Sequence, residues 1–419
     1  MKRKDIEIMA PVGCYESLMA AIQGGAGSVY FGVEHLNMRS RSANNFTLDD
    51  LKKIVGIASK NDVKTYLTLN VEIFDGEVQQ MHEVLEAAKK AGVSAVIAAD
   101  VSVIQYARSI DLEVHISTQV NITNIEAVKF YANFADVVVL AREMNIGRVW
   151  EISKEIEEQQ IKGPGGKLIR LEMFVHGALC MAISGKCYLS LHEMNSSANR
   201  GSCLQTCRRA YIVTDKETGA ELEIDNEYIM SPKDLKTIHF LNKILDAGVS
   251  VLKIEGRARS PEYVKTSVEC YHEAVEAWAE DSFTDEKISG WNERLASVFN
   301  RGFWDGYYLG QHLGEWSHNY GSQATQRKLY LGKCTNYFTN IQVAEFKLET
   351  NNLKVGDKIM ITGPTTGLVQ TQIKEIRYDL QPVEEGFKGQ RISVAVDTKL
   401  RRSDKIFKVV DAKEVKVRR

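Results

Sequence analysis

Eight short apolar runs rich in Val, Ile and aromatic residues recur between Ile6 and Glu255, and they constrain the fold more than any other feature of the chain. They lie at Ile6–Ala10, Ser28–Gly32, Lys64–Asn70, Ala95–Asp100, Glu113–Gln119, Asp136–Ala141, Leu171–His176 and Val249–Glu255, and each reads as a buried strand. Between most of them the spacing is helical, as in Val78, Met81, Leu85 and Ala88, which mark one apolar face. A glycine often stands just before the next strand, in Ala91-Gly92-Val93-Ser94 and again in Ala247-Gly248-Val249-Ser250, the pattern of a repeated helix stop, loop and strand. Eight such units predict an α/β chain folded as a (β/α)8 TIM-like barrel. A doubly wound open sheet is the rival, but no Gly-x-Gly-x-x-Gly turn follows the first strand.

In such a barrel the C-terminal ends of the strands line the active face, and here they are polar. Asn70, Asp100, Ser117, Thr118, Gln119, Asn121, Arg142, Glu143, His176, Lys253, Glu255 and Arg257 all fall there. The long gap between strands seven and eight is expected to be an excursion over the barrel mouth. After the last strand, Ser260 and Pro261 open a helix whose Val264, Val268, Tyr271, Val275 and Trp278 share one face. Beyond Gly321 the apolar positions alternate and are broken by Gly and Asn, which predicts a small C-terminal antiparallel β-barrel domain. The expected division is 1–320 for the barrel with its insertion and helical extension, and 321–419 for the β domain.

Net charge is only −2, so nothing draws the whole chain to nucleic acid; from Gly386 to Arg419, however, 11 Lys or Arg face 4 acids. That local bias suits a phosphate backbone, or equally a solvated, charge-protected strand edge. The charged start and the breaks at Pro11 and Gly13 do not form a secretory signal. No apolar stretch nears the roughly 20 residues of a membrane span. The expectation is a cytoplasmic protein with no membrane partner.

Within the excursion, Cys180, Cys187, Cys203 and Cys207 crowd into 28 residues of a chain with seven cysteines. Such a group binds a soft metal or forms disulfides, and a reducing compartment with an odd cysteine count favours metal. Zinc is one reading, although only Cys203 and Cys207 have the close spacing usual for it. An iron-sulfur cluster also needs four thiolates and tolerates irregular spacing. The chain has no Gly-x-Ser-x-Gly elbow and no His-Glu-x-x-His helix, which leaves little for a hydrolase beyond a cysteine nucleophile, Cys14 or Cys180, with His176.

The run Glu172-Met173-Phe174-Val175-His176-Gly177-Ala178-Leu179-Cys180, followed by Ser184-Gly185-Lys186-Cys187-Tyr188-Leu189-Ser190, resembles the signature of the collagenase-like "unassigned" peptidase family. The likeness extends to Ala10-Pro11-Val12-Gly13, Ser117-Thr118-Gln119, Leu140-Ala141-Arg142-Glu143 and Lys253-Ile254-Glu255-Gly256-Arg257. Despite that name, the family includes oxygen-independent hydroxylases with a 4Fe-4S cluster. In length and terminal β domain the chain is similar to the branch that makes 5-hydroxyuridine at the wobble position of tRNA. That resemblance implies tRNA and prephenate as partners, prephenate being the hydroxyl source, and a paralogue or electron donor as a further partner. It also implies Cys180, Cys187, Cys203 and Cys207 as cluster ligands, with Zn the alternative. A peptidase and a noncatalytic RNA-binding or assembly factor are the other functional classes.

Prephenate is a dicarboxylate, and guanidinium groups bind carboxylates through paired donors, so Arg39, Arg41, Arg142 and Arg257 are the expected pocket cations, with Asn70 and Gln119 beside them. Four residues apart on one strand, Glu172 and His176 are expected on one face, where the pair could move a proton. Lys253 and Glu255 share a face at the end of the last strand, a usual place for barrel catalysis.

Overall fold

The computed structural model describes residues 2–41, 45–212, 214, 216–218, 230–310, 314–317 and 321–414. Strands β1 (Glu7–Pro11), β2 (Ser28–Phe31), β3 (Lys64–Leu69), β4 (Ala95–Ala98), β5 (Glu113–Ile116), β6 (Val137–Val139) and β7 (Arg170–Gly177) pair in sequence order, all parallel. The short β8 (Asp234–Lys236) runs antiparallel on the end of β7, and β9 (Val249–Ile254) pairs in parallel with both β7 and β1. That double pairing closes the ring, so the barrel of eight expected strands is present, its members β1 to β7 and β9. The strands are nearly all buried residues because each has a lumen on one side and a helix on the other. Met9, Tyr30, Tyr66, Ala95, Ile97, Val137 and Val251 fill the lumen as a core of their own, while the outward positions join the larger core under the helices.

Around the ring stand α1 (Tyr15–Gln23), α2 (Asp50–Ser59), α3 (Val78–Ala91), α4 (Val101–Ser109), α5 (Ile125–Ala132) and α6 (Ile146–Glu158). Met81, Leu85 and Ala88 of α3 are buried, as their spacing requires, and Gly92 ends the helix in the left-handed region at φ +83°. After β7 the chain leaves the barrel for the cysteine-bearing excursion, which includes α7 (Leu189–Met194), and returns through β8 and α8 (Leu241–Asp246) to β9. Strand β8 and β10 (Phe303–Trp304), which pairs with it, are three and two residues long, too short to leave a periodic signal in the sequence. Helix α9 (Pro261–Ala279) buries Val264, Val268, Tyr271 and Val275 and pairs with α10 (Asp285–Ser297). Ser260 occupies the N-cap position of α9 without a side-chain capping bond.

The C-terminal region is antiparallel β. Its eight-stranded sheet includes β11 (Gln326–Phe338) beside β12 (Val343–Leu348), and Leu331, Phe346, Ile361, Ile392 and Ile406 belong to a core separate from that of the barrel. It docks on the outside of the barrel through Ala20 of α1, which packs with Met360 and Leu368. Gln23 fixes the contact, donating to the Thr366 carbonyl and accepting from the Leu368 amide at 2.9 Å. Of the basic run 386–419, residues 415–419 lie outside the described residues. No described helix is long and apolar enough to cross a membrane.

Candidate active site at the mouth of the barrel

A cavity of about 480 Å³ opens where the strands end, roofed by the excursion. Its floor is Lys253 at the end of β9 and Phe174 of β7; Asn70, Gln119 and Arg142 come from the loops after β3, β5 and β6, and Glu255 and Arg257 follow β9. Among the described residues, eight Lys or Arg side chains line the cavity against two carboxylates, Glu143 and Glu255. The site is therefore built for anions, in a chain that is nearly neutral overall.

Arg39 donates to Glu255 at 2.9 Å, and the Tyr30 hydroxyl lies 3.2 Å from the same carboxylate. Burial alone would raise the Glu255 carboxyl, but Arg39, Arg142 and Arg257 outweigh it and hold the group below the ordinary carboxylate value. Arg257 is 6% exposed and donates to the Thr68 hydroxyl at 2.9 Å. Burial lowers its guanidinium to about 10, while Tyr30 and Glu255 pull the other way and Arg39 adds to the fall. Arg142 lies 3.9 Å over the Phe174 ring and donates to the Ala178 carbonyl at 3.5 Å. Its Nε is buried without a hydrogen-bond partner. Among the described residues, Arg142 and Arg257 thus face the cavity without a carboxylate bound to either, whereas Arg39 is already paired. Asn70 donates to Gln119 at 3.1 Å, so these two form one polar patch.

Three expected site residues are placed elsewhere. Arg41 is exposed and does not line the cavity; its backbone amide bonds Gly201, which anchors the loop. Glu172 lies beneath the floor, fully buried, and its Oε1 accepts from Lys253 at 2.6 Å. His176 does not share its face. The β7–β9 register shifts between Phe174 and His176, so Phe174 pairs with Lys253 but His176 with Ile254. One extra residue reverses the alternation and turns the imidazole outward among Tyr263, Tyr271 and Phe303. Burial, with Lys236 and Arg259 nearby, lowers it to about 3. It is a neutral core ring, and the expected proton-moving pair of Glu172 and His176 does not form.

Sequence reading missed Arg208, Arg259 and Arg301, which also line the cavity. Arg208 donates to the carbonyls of Leu179 and Pro232 and so ties the excursion to itself. Arg259 stacks 3.6 Å over Phe299, and Arg301 pairs with Asp234 at 3.3 Å. Arg259 follows Arg257 by two positions, a local signal that could have found it; the other two are brought in by β8 and β10.

Cys180, Cys187, Cys203 and Cys207 line the same cavity, and all seven cysteines are free thiols. Burial raises Cys207 to about 11; Arg208 draws it down, and Cys180, Cys203 and Cys187 push it up, so the thiols lie within electrostatic reach of one another. Among the described residues no three His, Cys, Asp or Glu side chains are gathered into a ready-made metal site. The four thiols share a wall rather than a point. As a donor set, four free thiols suit a soft metal or an iron-sulfur cluster.

A family model described as peptidase family U32 matches residues 13–318. A protein of Porphyromonas gingivalis named Collagenase is 60% identical over 408 residues, covering 97% of this chain and 99% of its own. The tRNA hydroxylation protein P1 of Bacillus subtilis is 33% identical, over 86% of this chain and 84% of its own. A 23S rRNA 5-hydroxycytidine synthase of Escherichia coli is 31% identical, over 66% of this chain and 40% of its own.

Proposed function

The chain belongs to peptidase family U32, and from that premise we propose that it is an RNA-modifying enzyme that converts wobble uridine of tRNA to 5-hydroxyuridine. The observation that carries the reading is the cavity itself: an anion-binding chamber with four free thiols on one wall. The relatives named for tRNA and rRNA hydroxylation support RNA as the substrate class.

Replacing the uracil C5–H by C5–OH adds one oxygen atom and removes two electrons from the ring. An alcohol donor that gives up its hydroxyl and keeps the ring's hydrogen accepts both electrons, so the exchange balances without molecular oxygen. Prephenate, the donor we propose, carries two carboxylates. Arg142 and Arg257, which have no carboxylate of their own among the described residues, would bind them through paired hydrogen bonds. Arg39 is held by Glu255, so it orients that carboxylate toward the cavity. Glu255 is kept ionised and acts as an acceptor, suited to take a hydrogen bond or the departing proton. Lys253 presents a cation at the floor, with Glu172 fixing it from below. Asn70 and Gln119 would offer amide groups to a base edge, since both line the cavity. Cys180, Cys187, Cys203 and Cys207 would hold a 4Fe-4S cluster, and binding it would draw the four sulfurs from one wall to one point. When bound, such a cluster supplies one-electron transfer.

A peptidase is the second reading, favoured by the name of the 60% identical relative. Against it stands His176, which is turned into the core and held neutral where no thiol uses it. Cys14 bonds Ser17, and burial raises its thiol, the reverse of an activated nucleophile. The test is the nucleoside composition of bulk tRNA from a deletion strain, read alongside cleavage of denatured collagen by the purified protein. Loss of hydroxyuridine derivatives with no cleavage supports hydroxylation. Unchanged nucleosides with metal-independent cleavage overturn it.

A further inference from the structure

The C-terminal sheet carries a charge arrangement that the cavity does not use. Lys333 of β11 pairs directly with Lys405 on one side and with Lys347 of β12 on the other, and Lys347 pairs in turn with Arg391. Four neighbouring strands therefore place four cations in a single rung. Directly paired residues point to the same face, and all four are exposed. Like charges set opposite one another across a sheet are destabilising. Acids on the same strands relieve the repulsion only in part. Arg391 reaches Glu345 at 3.8 Å, and among the described residues Lys333, Lys347 and Lys405 make no salt bridge.

Lys333, Lys347 and Arg391, together with Arg402, line a surface groove of about 470 Å³. Two acids share that groove, Glu349, which accepts from the Tyr330 hydroxyl at 2.6 Å, and Glu345, which accepts from the Thr335 hydroxyl; four cations against these two carboxylates leave its described lining net positive. Strands lie about 4.8 Å apart, so the rung is about 14 Å long. A row of that length faces more than one phosphate of a polynucleotide strand.

We infer that this rung is a docking surface for the phosphodiester backbone of RNA, holding the substrate while one base enters the cavity of the barrel. This rests on the RNA reading of that cavity. The backbone supplies the negative charge the rung lacks, and it reads no sequence, as suits a contact remote from the modified base. The rung adds to the cavity a second concentration of positive charge in a chain whose net charge is only −2.

The experiment measures binding of bulk tRNA by the full-length protein across a range of salt concentrations. It compares wild type with a triple Lys333→Gln, Lys347→Gln, Arg391→Gln variant and with a control in which the exposed Lys52 of α2, Lys60 just after it and Lys90 of α3 become Gln. For the rung variant the account expects at least a tenfold loss of affinity, and a slope of log affinity against log salt that is shallower by about 2 to 3. Its β domain should melt no lower than wild type, because the substitutions remove repulsion. An unchanged affinity and slope, or an equal loss in the control, overturns the inference. The assay needs no catalysis, so hydroxyuridine content in cells, measured separately, distinguishes a failure of the rung from a failure of the hydroxylase reading.

Discussion

Lys253 and Glu172 meet at 2.6 Å beneath the cavity, their side chains 6% and 0% exposed. The second carboxylate oxygen of Glu172 has no hydrogen-bond partner and lies 3.9 Å from Nδ1 of buried His115. The pair is thus the top of a polar column inside the barrel, and Lys253 alone reaches the cavity. Removing one member leaves the other charge buried and unpaired, a loss of about 3–5 kcal/mol. Glu172→Gln should therefore lower the melting temperature markedly, and Lys253→Met added to it should restore much of the loss while leaving hydroxylation abolished. A double-mutant cycle by thermal melting checks this; additive losses would contradict it.

His176 gives a pH signature. The unfolded chain binds a proton on this imidazole near 6.5, whereas the folded chain does not until about 3. The unfolded state holds more protons in that interval, so stability is fully present above about 6.5 and falls as pH drops toward 3. The loss reaches about 2 kcal/mol at pH 5. His176→Phe should melt with a smaller decrease between pH 7 and pH 5 than wild type, and should keep hydroxyuridine formation. A variant with an unchanged pH slope, or without activity, would argue that the ring does more than pack.

Gly177 has φ +103°, and a Cβ there would meet the Glu255 carbonyl at 2.3 Å and the Tyr263 hydroxyl at 2.7 Å. Gly177→Ala forces apart the ends of β7 and β9 that carry the site. The expected result is a destabilisation of about 1–3 kcal/mol, together with lost activity. Denaturant midpoints and nucleoside analysis read the two effects separately.

Arg257 binds the Thr68 hydroxyl and, among the described residues, no carboxylate. Losing a charge-assisted hydrogen bond costs about 1.5–3 kcal/mol, so Arg257→Gln should raise KM for prephenate about tenfold to a hundredfold. Steady-state hydroxylation at varied prephenate tests this, and an unchanged KM would remove Arg257 from the donor site.

The barrel was legible because each of its strands is a short apolar run whose period and flanking turns survive in the sequence. The place of the four cysteines and of Arg142 and Arg257 on the cavity was legible for a related reason: they follow closely on a strand or share one excursion, while Arg39 lies in the longer loop after β2. His176 was misplaced because a bulge between Phe174 and His176 leaves no compositional trace, yet reverses every side chain after it. Arg41 lies two residues past Arg39, in a loop whose turn sends it to solvent. Arg208 and Arg301 reach the cavity only through contacts distant in sequence, with Pro232 and Asp234.

The central claim joins RNA hydroxylation to the thiol wall, and one paired measurement tests both. Wild type and Cys203→Ala are each returned to a deletion strain; iron bound per chain is measured on anaerobically purified protein and hydroxyuridine on bulk tRNA. The account predicts about four irons and restored hydroxyuridine for wild type, and loss of both for Cys203→Ala. Full restoration of hydroxyuridine by Cys203→Ala, or a wild type that binds no iron and still restores it, would contradict the account.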